Sequence, residues 1–289
     1  MDLTGLHLIL TYQCTSECDH CFVWGSPWQS GTMSYQNIEN ILSQANDLGT
    51  VTQIYFEGGE PFLYYPLLVK GVSLASEMGF QVGIVTNTYW ASSVDDATLW
   101  LDPFAGVVSD LSVSSDLYHY TERISMQSEN VRKAAELLGI PIGVISIAQP
   151  GEGGDDIAVM YRGRAVSKLA DKAVKQPWSQ FSECPHEDLR DPGRLHIDPY
   201  GNIHLCQGIL LGNMFDKPLM EIWDQYQPES HPICGPILAG GPAALVREFK
   251  LDHGRDYADA CHLCYQARES LRHRFPLILG PDQVYGLIE

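Results

Sequence analysis

Eight cysteines are spread unevenly over 289 residues. Cys14, Cys18 and Cys21 form a C-x3-C-x2-C run, and none follows until Cys184, Cys206, Cys234, Cys261 and Cys264. A chain of this size can bury a core without staples. In a reducing compartment, grouped cysteines bind metal or do redox work more often than they form disulfides. Soft thiolates favour zinc, copper or iron–sulfur clusters. Three closely spaced thiolates in one loop can hold three irons of a four-iron cube and leave the fourth open. A zinc ion with His20 as the fourth ligand is the alternative that the spacing allows. The long gap points to two separate sites. For the later set, a zinc ribbon competes with a cluster.

The elements around these residues read as alternating strands and helices. LHLILT (6–11) is a buried strand that ends just before the first cysteine. Residues 34–48 carry apolar residues at Ile38, Ile41, Leu42, Ala45 and Leu48, a helical period with Ser34 as N-cap and Gly49 as stop. Strands follow at 52–59, 81–87, 107–115 and 142–148, and helices at 66–78, 94–101 and 128–138. IAVMYRG (157–163) begins a further strand. This alternation predicts parallel βα units. A full eight-fold barrel needs about 250 residues, so the expected fold is α/β, a partial (β/α)6 TIM-like barrel. Around KQPWSQFSE (175–183) the texture changes to Pro, Gly, His and Cys. This divides the chain into a core domain, 1–175, and a C-terminal region, 176–289. That region contains a β-hairpin around PYGN in RLHIDPYGNIHLC (194–206) and a helix led in by GNMFDKPLMEIWD (212–224).

Composition narrows the function. Lys+Arg is 18 and Asp+Glu is 36, so the formal net charge is −18. A nucleic-acid partner needs a basic footprint, and an anionic membrane surface attracts basic segments, so neither partner is expected. RHR (272–274) is a small solvated cluster. No apolar run reaches the length that spans a bilayer. Met1 leads within a few residues into a strand, which leaves no room for a signal peptide. A cytoplasmic chain is expected.

The cysteine run directly after the first strand, followed one strand later by FEGGEP (56–61), resembles the radical S-adenosylmethionine (SAM) superfamily. The resemblance implies that Cys14, Cys18 and Cys21 hold a [4Fe–4S] cluster whose open iron takes the amino and carboxylate groups of SAM. An electron from the cluster then cleaves a carbon–sulfur bond to give methionine and a 5′-deoxyadenosyl radical. It further implies that Gly58, Gly59, Glu60 and Pro61 form the turn that binds the methionine amino group. Ser114, Asp116 and Arg123 are similar to the family's S-x-D and later arginine at SAM. MYRGRA (160–165), with Tyr161 and Arg162, is similar to the segment beside the adenine.

The C-terminal cysteines resemble the auxiliary-cluster region of the SPASM/Twitch group. With five cysteines rather than seven, this implies one auxiliary [4Fe–4S] cluster on Cys184, Cys206, Cys261 and Cys264. Cys234 is left over, as a buried thiol or a hydrogen donor. The implied reaction is an oxidation or crosslinking of a peptide or small metabolite, with an electron donor such as flavodoxin or ferredoxin. Asp116, His119 and Asp198 are the candidate bases. Epimerisation or methyl transfer, with Cys234 as donor, is the rival enzyme class. A non-enzymatic zinc protein is the rival outside enzymes.

Overall fold

A computed structural model describes residues 2–122, 124–152 and 156–287. Its centre is an eight-stranded sheet in the order β5-β4-β3-β2-β1-β7-β8-β9. The first five strands are β1 (Gly5–Thr11), β2 (Gln53–Gly58), β3 (Gln81–Thr86), β4 (Val108–Ser114) and β5 (Ile142–Ile145). They pair in parallel with their sequence neighbours. β6 (Gln176–Pro177) and β10 (Asp256–Tyr257) form a separate two-residue ladder. β7 (Arg194–Ile197) runs parallel to β1 on its free edge, and β8 (Asn202–Cys206) and β9 (Ile209–Asn213) continue from it antiparallel. The sheet does not close: β5 and β9 are its edges.

The helices are built from ordinary local signals. In α1 (Tyr35–Leu48), Ser34 and Asn37 form a reciprocal capping box, and Gly49 closes the helix. α2 (Tyr65–Glu77) follows a 3-10 turn at Pro61–Tyr64. α3 (Val94–Leu101) and α4 (Met126–Leu138) start on the side chains of Ser93 and Ser125. Strand periodicity then divides the sheet into two faces. Leu6, Leu8, Leu10, Ile54, Phe56, Val82 and Ile84 pack into one large core with Ile38, Ile41, Leu42, Leu68 and Val72 from α1 and α2. The opposite positions in β1, β2 and β7 include His7, Tyr55, Glu57 and His196.

One expected strand is absent. Within 157–163, only Ile157 makes a bridge, to Ile147. The chain then turns toward the cysteine loop, where the Arg164 backbone N–H donates to Cys21 O (2.9 Å). The short helix α5 (Arg164–Lys168) follows at once. The sixth parallel strand comes instead from β7, in the C-terminal region, on the far side of β1. The strand expected over 142–148 stops at Ile145.

Beyond the hairpin lie α6 (Leu219–Gln225), α7 (Cys234–Phe249) and α8 (Ala260–Leu271). α7 is kinked at Gly240 and Gly241, just before Pro242. A Cβ at Gly241 would sit 2.3 Å from Glu183 N, and the φ of +65° is itself unfavourable to a side chain. The kink therefore lets the segment that carries Cys184 lie against α7, where Ala243 N donates to Phe181 O (3.1 Å).

Candidate functional site

The loop leaving β1 carries Cys14, Cys18 and Cys21, and it is held from three directions. Cys14 N donates to Ser26 O (3.0 Å), and Cys21 N to Cys18 O (3.1 Å). From the second direction, Gly59 N donates to Thr11 O (2.6 Å) and Glu60 N to Gln13 O (2.9 Å). This contact needs a glycine: a Cβ at Gly59 would lie 2.1 Å from Gln13 O. The third clamp is Arg164, whose guanidinium donates to Cys18 O (2.9 Å) and Gly25 O (2.8 Å). Arg164 is only 2% exposed, and sequence reasoning did not assign it a role. It closes the R-G-R of MYRGRA (160–165), and its partners are backbone carbonyls more than 130 residues away in sequence, which no local pattern reveals.

The three thiols line a cavity of about 300 Å³. Gly58, Gly59, Ser114, His119 and Arg162 share its wall, together with Asn87 and Glu57. Asn87 Nδ2 donates to Cys14 Sγ (3.5 Å), and Gly25 N to Cys21 Sγ (3.2 Å). Burial pushes the Cys14 thiol up to about 12 and Cys18 still higher. Thiolates at these positions therefore need a compensating cation or metal. Three convergent soft donors on one cavity wall fit three corners of a four-iron cluster.

The remaining sequence-assigned residues divide. Glu60 is fully buried and does not line the cavity. Its carboxylate accepts from Phe62 N (3.0 Å), Thr86 Oγ1 (2.9 Å) and Asn87 N (2.7 Å), and burial pushes it up to about 7. Pro61 opens the 3-10 turn behind it. Asp116 is also off the wall. It accepts from His119 Nδ1 (2.8 Å), Tyr118 N (2.9 Å) and Ile147 N (3.3 Å). Burial raises the Asp116 carboxyl, but the His119 hydrogen bond and charge outweigh this and leave it below its usual range. Tyr161 is buried in a small cluster with Ala165 and Leu169, and its N–H donates to Asp259 (3.1 Å). Arg123 lies outside the described residues.

Two more of the candidate bases or donors sit apart from the cavity. Asp198 does not line it. Its oxygens accept from Tyr12 Oη (3.0 Å), Tyr200 N (2.9 Å), Asn202 N (2.9 Å) and Asn202 Nδ2 (2.8 Å), which fixes the β7–β8 turn. Cys234 is fully buried at the start of α7, and burial pushes its thiol up to about 12. It lines neither this cavity nor the next.

The C-terminal thiols meet at a second, smaller cavity, lined by Cys184, Cys206, Cys261 and Cys264 together with Arg162 and Arg268. All four are free cysteines. Cys261 and Cys264 are three residues apart and share a face of α8. Cys206 ends β8, which Arg268 ties to α8 by donating to Gln207 O (2.6 Å). Cys184 arrives through the α7 kink. Arg162 Nη1 lies 3.6 Å from Cys206 Sγ and 3.3 Å from Glu187 Oε1, and Arg162 borders both cavities. Four soft donors flanked by two buried guanidiniums fit a fully ligated metal centre.

Comparisons with known proteins bear on these two cavities. A "Putative peptide biosynthesis protein YydG" of Bacillus subtilis (strain 168) is 27% identical over 111 residues, 38% of this chain and 35% of that protein. A "Tungsten-containing aldehyde ferredoxin oxidoreductase cofactor-modifying protein" of Pyrococcus furiosus is 28% identical over 134 residues, 46% of this chain and 34% of that protein. The alignments thus span about a third of these curated relatives. Among solved structures, "BtrN in complex with AdoMet and 2-DOIA" shares the fold, with a TM-score of 0.52 at 15% identity, over 77% of this chain and 83% of that one. The Radical SAM superfamily profile matches residues 8–162, from β1 through to the arginine between the cavities. That match takes in the cysteine loop and the glycine turn and runs over more than half of the sequence, so the chain belongs to the radical SAM superfamily.

Proposed function

We propose that this radical SAM enzyme oxidises or crosslinks a peptide or small metabolite, with one auxiliary [4Fe–4S] cluster on Cys184, Cys206, Cys261 and Cys264. The observation that carries the reading is the convergence of those four thiols on one cavity that shares Arg162 with the other. When bound at Cys14, Cys18 and Cys21, a four-iron cluster with one open iron supplies the electron that splits SAM and so yields a hydrogen-abstracting radical.

The chain's own residues do the rest. Gly58 and Gly59 let backbone approach the ligand closely, and Ser114 offers a hydroxyl on the same wall. Val23, Val85, Ile145, Ile147 and Met160 make much of the wall apolar, which keeps water from a reactive radical. His119, oriented by Asp116, is the proton acceptor placed at the cavity. Arg162 sets a positive charge beside Cys206, where it stabilises a thiolate ligand. A fully ligated second centre has no open site for substrate and is suited to accepting the second electron of an oxidation.

The name of the Bacillus relative supports a peptide substrate, while the BtrN complex, whose fold this chain shares, supports a small one. A flavodoxin or ferredoxin is the proposed donor. Anaerobic reconstitution tests the reading. Roughly eight irons per chain, as two four-iron clusters, are expected, with 5′-deoxyadenosine released on adding SAM and a reductant. About four irons per chain would remove the auxiliary cluster.

A further inference from the structure

Three adjacent strands place another set of metal-binding side chains on the inner face of the sheet. His7 of β1 pairs in register with His196 of β7 and with Tyr55 of β2. Glu57 stands two residues beyond Tyr55 and so points to the same face. His7 Nδ1 lies 3.1 Å from Glu57 Oε2, and His196 Nε2 lies 3.3 Å from Glu57 Oε1. One ligand atom from each of the three residues falls within 4.8 Å of the others. Four ligands around a tetrahedral ion with bonds of about 2.0–2.1 Å stand roughly 3.3 Å apart, so these spacings suit a shared ion.

We propose that His7, Glu57 and His196 form a metal site, separate from both cysteine sets, that holds one divalent first-row transition ion beside the large cavity. A set of two imidazoles and one carboxylate suits zinc, iron(II) or manganese(II) and leaves positions open for further ligands. Glu57 itself lines the cavity, which places the site at its wall.

A further observation favours an ion over a simple hydrogen-bonded trio. Among the described residues, His196 Nδ1 has no hydrogen-bond partner although His196 is only 8% exposed, and Glu57 Oε1 has its His196 contact but no hydrogen bond of good geometry. The surroundings also hold the ligands in place. The His7 ring stacks on Tyr55 at 4.7 Å, and Tyr55 Oη donates to Asp110 (3.0 Å). The nearby Arg162 cation has its own carboxylate in Glu187.

The proposal does not depend on the auxiliary cluster, and manganese separates the two. Mn²⁺ prefers nitrogen and oxygen donors, so the cysteine cavities compete little for it. The anaerobically reconstituted, desalted protein is titrated with Mn²⁺, and free ion is read from its electron paramagnetic resonance signal. Saturable uptake of one Mn²⁺ per chain is expected, with Zn²⁺ displacing it, since zinc binds such sites more tightly. His7→Gln and His196→Gln are each expected to weaken Mn²⁺ binding by at least about tenfold while iron and sulfide content stay at wild-type levels. Should one variant lose iron, the other, on a different strand, carries the comparison. Unsaturable or absent uptake by the wild-type protein overturns the site. So does uptake by the iron-replete variants equal to that of wild type.

Discussion

The two cysteine cavities are built by opposite strategies. The first takes all three thiols from one short loop after β1, clamped from outside by Gly59 and Arg164. The second gathers four thiols from a segment before β7, the end of β8 and one face of α8. A local motif keeps its geometry within a few residues and needs only to be held still. A distributed one exists only if a hairpin, a kinked helix and a capped helix all arrive together. The first site should therefore fail through its clamps, and the second through its scaffold.

The largest expected effect comes from the thiols of the first loop. Cys14→Ala, Cys18→Ala or Cys21→Ala is expected to abolish 5′-deoxyadenosine release, read by chromatography after adding SAM and reductant. Next comes Arg164→Ala. It strands the carbonyls of Cys18 and Gly25 in a buried position, and each orphaned group costs about 1–3 kcal/mol. A fall of about 2–6 kcal/mol in unfolding free energy is expected, with iron at the first loop lost before iron at the second. Gly241→Ala should do the reverse. Its Cβ would collide with Glu183 N, so Cys184 is displaced while the first loop is untouched. Iron content is expected to fall by about half, with SAM cleavage retained. The smallest effect belongs to Ser34→Ala, which removes one side of the capping box of α1 at a residue that lines neither cavity. A loss of about 1 kcal/mol in stability, with unchanged iron, is expected in denaturant unfolding. Equal iron loss from both sites in the Arg164 and Gly241 variants would erase the contrast.

The contrast also explains what could be read from the sequence. The C-x3-C-x2-C spacing, the glycine pair and the βα alternation are local, and the structure places them where the pattern implies. The four later cysteines could be grouped by resemblance, but only the α7 kink and the α8 face account for their meeting. The strand expected at 157–163 failed because that segment's apolar start gives way to Arg162 and Arg164, whose partners are a distant glutamate and the carbonyls of the cysteine loop. The sixth parallel strand escaped notice because it pairs with β1 across 189 residues, as Gly5 with Arg194. The same non-local pairing hid His196 beside His7. Asp198 looked like a candidate base, yet its oxygens are taken up by the hairpin it caps.

The central claim is that the two cavities hold separate centres with separate tasks. The most direct test is Cys206→Ala, purified and reconstituted anaerobically beside wild type, with iron and 5′-deoxyadenosine measured on the same samples. The account predicts that iron drops from roughly eight to roughly four per chain, that deoxyadenosine release continues, and that substrate oxidation stops. Iron unchanged in the variant, or deoxyadenosine release lost while four irons remain, would contradict it.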